Sequence, residues 1–192
     1  MPDHDAFTKR GRALEEEYFR KKDRELIEKI RQSAATTQTR SDLGRMTGLD
    51  DPLLVQELQN LGFTADTVAL LPIVPVIEVA WAEGGVTKAE RELIVALARS
   101  RGIAAGSAAD RQLAQWLTDQ PAEVVFAGAR RLIRAMLESG AAQTGDLKAD
   151  DLVNYCEEIA SASGGLFGIG RISAEERALL ASIAAEFHAR RS

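Results

Sequence analysis

Apolar residues recur along this chain at helical intervals, and no segment alternates with a period of two. The clearest case lies in the middle, where Ile73, Ile77, Ala80, Trp81 and Gly84 fall on one face at spacings of 4, 3, 1 and 3. That spacing is helical. Thr64 or Asp66 starts this central helix, and Pro72 and Pro75 bend or delay its beginning. A buried strand over Val68–Val76 is the competing reading, but proline excludes most central-strand positions. Before it, Asp51 and Pro52 form a start signal, an N-cap carboxylate with proline at the first helical position. Leu53, Leu54, Leu58 and Leu61 are the apolar face, and Gly62 falls where a left-handed C-cap belongs.

Further helices follow. One begins at Thr87, turns Leu93, Ile94, Leu97 and Ala98 inward, and stops at Gly102. Ser107 caps the next, with Leu113, Trp116 and Leu117 as its apolar set. Pro121 opens another, with Val124, Val125, Ala129, Leu132, Met136 and Leu137 facing in and Gly140 as its end. Leu152, Tyr155, Cys156, Ile159 and Ala160 line one face of a further helix. The last runs from Ser173 to about Ala189 and buries Leu179, Leu180, Ile183 and Phe187. The pattern predicts an all-α fold, a compact bundle of about seven helices, preceded by a charged N-terminal helix.

That N-terminal part differs in character. Asp5–Ser33 is rich in Glu, Lys, Arg and Leu and holds no proline, so helix propensity is high throughout. Phe7, Gly11, Leu14 and Tyr18 step at heptad spacing, and Leu26 and Ile30 resume it after Lys21-Lys22. The stripe is narrow. It fits a solvated helix docked along one seam, or an arm that pairs with a protein partner or with its own copy through Leu14 and Tyr18. Gln32–Asp42 is polar and reads as a linker, with Ser41 capping a short turn through Met46 that ends at Gly48. The expected division is an arm and linker over residues 1–40 and a helical domain over 41–192.

The chain also repeats itself. A shift of 80 residues pairs Glu78 with Glu158, Ala80 with Ala160, Ala82 with Ala162 and Gly84-Gly85 with Gly164-Gly165. Beyond the turn the shift is 86, pairing Thr87 with Ser173, Glu90 with Glu176, Arg91 with Arg177 and Leu93 with Leu179. The difference is an insertion, Leu166–Arg171. Matches on both sides of one insertion point to a true internal repeat. Each copy is a helix stop joined to a capping box, in which Thr87 or Ser173 caps and Glu90 or Glu176 reaches back to the cap. Capping alone can account for those residues.

Composition narrows the functional classes. The chain has 192 residues, 45% apolar and 28% charged, with net charge -5. An acidic balance disfavours bulk nucleic-acid binding, which needs a basic surface. The apolar run Thr67–Ala82 carries Glu78 and two prolines and is shorter than the roughly 20 residues a bilayer span needs. No transmembrane segment is expected, and peripheral membrane association stays open. Met1–Arg12 is polar and unlike a signal peptide. The single cysteine permits no internal disulfide and agrees with a reducing, cytoplasmic setting.

Candidate chemistry is sparse. Glu83–Glu90 matches the second half of an EF-hand loop, but the first and third ligand positions would be Val79 and Trp81, which offer no oxygen. A looser divalent-cation site shared by Glu83, Glu90 and Glu176 requires the two repeats to face each other. The alternative is that these carboxylates simply complement helix dipoles. Gly165–Gly170 imitates a phosphate loop, but Arg171 and Ile172 replace its lysine and hydroxyl, and no strand precedes it. Leu166, Phe167 and Ile169 either fold over the core or present an apolar contact to a partner. His4 and His188 have no ligand cluster around them, Cys156 reads as an inert core thiol, and Trp81 and Trp116 as core. No catalytic set stands out, so a non-enzymatic protein without a cofactor is expected.

The stretch Ala80-Trp81-Ala82-Glu83-Gly84-Gly85-Val86-Thr87-Lys88-Ala89-Glu90-Arg91 resembles the hallmark of the TerB-like, tellurite-resistance family, A-x-A-D-G-x-[VI]-[ST]-x-x-E-R. In pattern the resemblance extends over Leu53–Phe187; it is specific in the two turn regions. It implies a compact helical bundle with internal pseudo-twofold symmetry. It also implies non-enzymatic work in stress-response or membrane-linked complexes, with acidic turn residues as suspected metal ligands; the repeat, the charged arm and the missing catalytic set point to a helical adaptor. Glu83 stands where the pattern has Asp, Ser163 fills that place in the second copy, and the N-terminal arm lies outside the module.

Overall fold

A computed structural model describes residues 22, 27–28, 37–139, 148–162 and 172–189. Its contacts divide the chain into two units, Met1–Thr39 and Arg40–Ser192. In the first, Lys22, Ile27 and Glu28 are helical and exposed. Leu14 and Tyr18 lie outside the described residues.

Residues 37–47 are helical (α1), so the expected linker over Gln32–Asp42 is corrected from residue 37 onward. Packing overrides the weak propensity of Thr and Ser here. Leu43 and Thr47 are both buried, and the Thr47 hydroxyl donates to the Leu43 carbonyl at 2.7 Å. Arg40 donates to the side chains of Gln56 and Gln59, joining α1 to α2 (Pro52–Asn60). Asp51 caps α2, accepting from the Leu53 amide at 2.8 Å. Leu53 itself is 78% exposed, against expectation. It lies about 140° around the helix from Leu58, and the buried pair is Val55 and Leu58.

The centre of the second unit is a 3-10 helix, Val68–Ile73, running into α3, Val74–Trp81. The prolines delay the α-helix as expected. Pro72 sits in the 3-10 segment and Pro75 in the first turn of α3, where its missing N–H has no partner to lose. Every residue from Val74 to Ala80 is buried, Glu78 included. A helix apolar on all sides belongs in the middle, and α3 packs against α4, α6, α7 and α8.

The surrounding helices are α4 (Lys88–Ser100), α5 (Ala108–Trp116), α6 (Glu123–Glu138), α7 (Ala149–Ala162) and α8 (Ala174–His188). In α4, Ile94 and Ala98 are buried while Leu93 and Leu97 are half-buried. The carbonyls at the end of α5 are satisfied from α3 and α4. The Trp81 indole N–H donates to the Trp116 carbonyl at 2.9 Å, and Arg91 donates to the Leu117 carbonyl. The Trp116 ring meets Phe63 edge-on, with centroids 5.9 Å apart. In α6, which starts at Glu123 rather than Pro121, the expected inward Val124 is 65% exposed, and Phe126 takes a core position. Gly128 lets α2 approach α6, since a Cβ there would lie 2.6 Å from Leu61 Cδ1. Beside it Arg131 pairs with Glu57. Among the described residues there is no strand, and no helix is long and apolar enough to cross a membrane.

Candidate functional site

The turn between α3 and α4 is built by local rules. The chain leaves α3 at Ala82 and enters the left-handed region at Gly84, φ 85°, a conformation glycine adopts without strain. Gly85 has no such constraint. Thr87 then caps α4 in an extended conformation. Its amide and its hydroxyl both donate to Glu90 Oε2, each at 2.7 Å, and the Glu90 amide donates to Thr87 Oγ1 at 3.3 Å. The second copy repeats the geometry. The Ser173 amide donates to Glu176 Oε2 at 2.8 Å, and the Glu176 amide to Ser173 Oγ at 3.1 Å. Both capping boxes are complete.

Burial sets these two glutamates apart from ordinary helix-start acids. Glu90 and Glu176 are each 1% exposed. Burial pushes the Glu90 carboxyl above the usual carboxylate range. The Thr87 hydrogen bonds oppose that, and the charges of Glu176 and Glu83 add to it. Glu83 is exposed. Among the described residues, no three His, Cys, Asp or Glu side chains converge to hold a metal ion. Leu166, Phe167 and Ile169, with Ser163 and the second glycine pair, lie outside the described residues.

Two features escaped the sequence reading. The first is an ion cluster at the heart of the domain. Arg130 of α6 donates to Glu78 Oε1 of α3 and, through Nε, to Glu186 Oε2 of α8 at 3.2 Å. Its partners lie more than fifty positions away in sequence, so no local spacing reveals them; the one signal was an acid inside an otherwise apolar run. The second is a groove of about 260 Å³ between α4 and α7, lined by Leu93, Leu97, Tyr155 and Ile159 with Ala96 and Glu158 on its walls. Arg101 lies over the Tyr155 ring, 5.3 Å from its centroid.

The remaining residues behave simply. Cys156 is buried, and its thiol is pushed up to about 12 by burial first and by the Glu78 charge next. His188 bridges the Ala184 carbonyl and Asp150, each at 2.8 Å. The hydrogen bond to Asp150 holds its pKa above the ordinary histidine value. No family model matches the chain, and no curated protein or solved structure is significantly similar to it.

Proposed function

We propose that this chain is a TerB-like helical adaptor, a non-catalytic interaction module of the stress-response type whose two halves are related by a pseudo-twofold axis. What supports the reading is that both turns carry complete capping boxes whose glutamates are each 1% exposed, with Glu176 among the charges that act on Glu90. Cross-packing adds support, since α3 contacts both α7 and α8 and α4 contacts α7. The residues that repeat are taken up by caps and core packing, as suits a scaffold. Partner contact falls to the α4–α7 groove and to the N-terminal arm through Leu14 and Tyr18, and a buried free thiol suits a cytoplasmic setting.

The test uses the full chain. Ala96 is exposed on the groove wall, so Ala96→Arg blocks the groove without disturbing the core. A Leu14→Glu/Tyr18→Glu double variant removes the arm's stripe. Affinity capture and light scattering then compare the three proteins. A partner or self-association lost with either variant supports the adaptor. The same partners and mass in all three refute it.

A second reading, a cation sensor, starts from the like charges of Glu176 and Glu83 that act on Glu90, which a divalent cation would relieve, although the three side chains do not converge as a ligand set among the described residues. Titration calorimetry with calcium, magnesium, zinc and manganese decides it; no heat and an unmoved melting temperature refute it.

A further inference from the structure

The cluster around Arg130 carries more charge than it can balance. One guanidinium faces two carboxylates, and the side chains are 14% exposed for Arg130, 9% for Glu78 and 33% for Glu186. With both acids ionised the cluster is net negative in a poorly solvated place, an expensive arrangement. The second Glu78 oxygen, Oε2, is buried and accepts no hydrogen bond, although a buried carboxylate oxygen ordinarily finds a donor.

Among the described residues, Arg130 is the one cation acting on Glu78. From α6 come Arg130 and Glu123, and from α8 Glu186. From α7 comes Cys156, whose thiol burial keeps neutral. The 3-10 helix, VALLPI, carries no ionisable side chain, and no charged side chain of α4 is among those acting on Glu78. Two of the three charges that act on Glu78 are therefore like charges.

We propose that Glu78 is a proton-uptake site of the folded protein, and that its protonation releases Arg130 from α3 and leaves it paired with α8 alone. A proton from solvent forms an O–H bond on the Glu78 carboxyl. The guanidinium, left with one charged partner, pairs with Glu186. The cluster becomes neutral, and α6 holds α8 where it had held α3 as well. The three helices pack on one another directly, so the exchange acts at one junction. The direction agrees with the balance of forces on Glu78: burial raises its pKa most, Arg130 opposes, and Glu123 and Glu186 add to the rise. Because the folded state then binds the proton more tightly than the unfolded chain, this contribution to stability is complete below the unfolded value and is lost as pH rises through the folded one.

Carbon-detected NMR of the full chain, labelled in glutamate and arginine side chains, tests this. The Glu78 carboxyl signal, identified by its loss in Glu78→Gln, is expected to titrate with a midpoint above the ordinary glutamate value of about 4.3. The Arg130 Nε signal is expected to move with the same midpoint. Glu186→Gln, which removes a like charge and leaves Arg130 wholly to Glu78, lowers that midpoint. Should Glu78→Gln fail to fold, the Arg130 signal in the wild type and in Glu186→Gln carries the comparison. A Glu78 midpoint at or below the ordinary value, an Arg130 signal indifferent to pH, or a midpoint unmoved by Glu186→Gln overturns the proposal.

Discussion

Glu90 separates the two readings of the paired turns, because shape and charge can be removed from it one at a time. Both hydrogen bonds from Thr87 end on the same oxygen, Oε2. In Glu90→Gln the amide oxygen can take that place and keep the capping box. In Glu90→Ala the box is lost together with a methylene that is 1% exposed. A net hydrogen bond contributes about 1 kcal/mol and a buried methylene about 0.8 kcal/mol. With two hydrogen bonds and the methylene lost, alanine should therefore lie about 3 kcal/mol below glutamine, or about 6–12 °C in melting temperature for a domain of this size. Glutamine should match the wild type at pH 7 or exceed it. The folded-state pKa of Glu90 is raised, by burial first and by Glu176 and Glu83 as well. Its stabilising contribution is complete below the unfolded value and is lost as pH rises through the folded one. The gap between wild type and Glu90→Gln should accordingly close on acidification towards pH 4. Thermal melts of the three proteins at several pH values make the measurement. If Glu90→Gln falls as far as Glu90→Ala at pH 7, the charge itself holds the turn. A divalent cation should then raise the melting point of the wild type and leave that of Glu90→Gln unchanged.

Three smaller tests address the frame around the site. Gly84→Ala should cost about 1–2 kcal/mol in urea unfolding, because alanine is strained at positive φ. Gly85→Ala should be neutral or gain up to about 1 kcal/mol by restricting the unfolded chain, and equal effects would dismiss Gly84 as the helix stop. Trp81→Phe removes the indole donor to Trp116 and should cost about 1–2 kcal/mol; a silent substitution would mean that the bond does not tie α3 to α5. His188 has its pKa raised by the hydrogen bond to Asp150, so the pair stabilises below the ordinary histidine value and loses that effect as pH rises through the raised one. Melts of wild type and Asp150→Asn at pH 5.5 and 8.5 should show a gap that narrows at the higher pH, and a constant gap would remove the linkage.

What the sequence revealed was local. Caps and stops are written within four or five residues, so Asp51-Pro52, Ser107, and the Thr87–Glu90 and Ser173–Glu176 boxes could be read directly. Helical periodicity placed Leu113, Leu132, Cys156 and Ile183 in the core. Errors arose where burial depends on neighbours distant in sequence. Leu53 and Val124 are exposed, which depends on what packs on each helix and which no periodicity records. Residues 37–42 looked like a linker by composition, yet Leu43 and Thr47 dock the helix they belong to. The glycine pair was legible as a stop, but which glycine takes the left-handed conformation was not. The burial of Glu90 and Glu176 was hidden as well, since a capping box reads the same whether it faces solvent or core. Arg130 was unremarkable in sequence because its chemistry lies in partners on two other helices.

The two copies are alike in their caps and unlike in their packing, and that difference locates where a partner could bind. Glu78 is buried against Arg130, whereas Glu158, its counterpart, is exposed on the groove wall. Arg91 reaches across to the Leu117 carbonyl, but Arg177 turns back to the carbonyl of Ile172 in its own turn. Helix α3 is covered on every side, while α7 leaves Asn154, Glu157, Glu158 and Ser161 exposed. Helix α6, which packs on α3 and α8, adds to this inequality. The proposed pseudo-twofold relation thus rests on the caps, and the packing around the two turns differs. A partner that reads the repeat must touch both capped turns and should respond alike to changes beside Thr87 and beside Ser173. A partner that reads the open face of α7 should ignore those changes and be lost with Ala96→Arg. Binding measured across these variants separates the two modes, and equal indifference to all of them would leave the helical domain as a support for the arm.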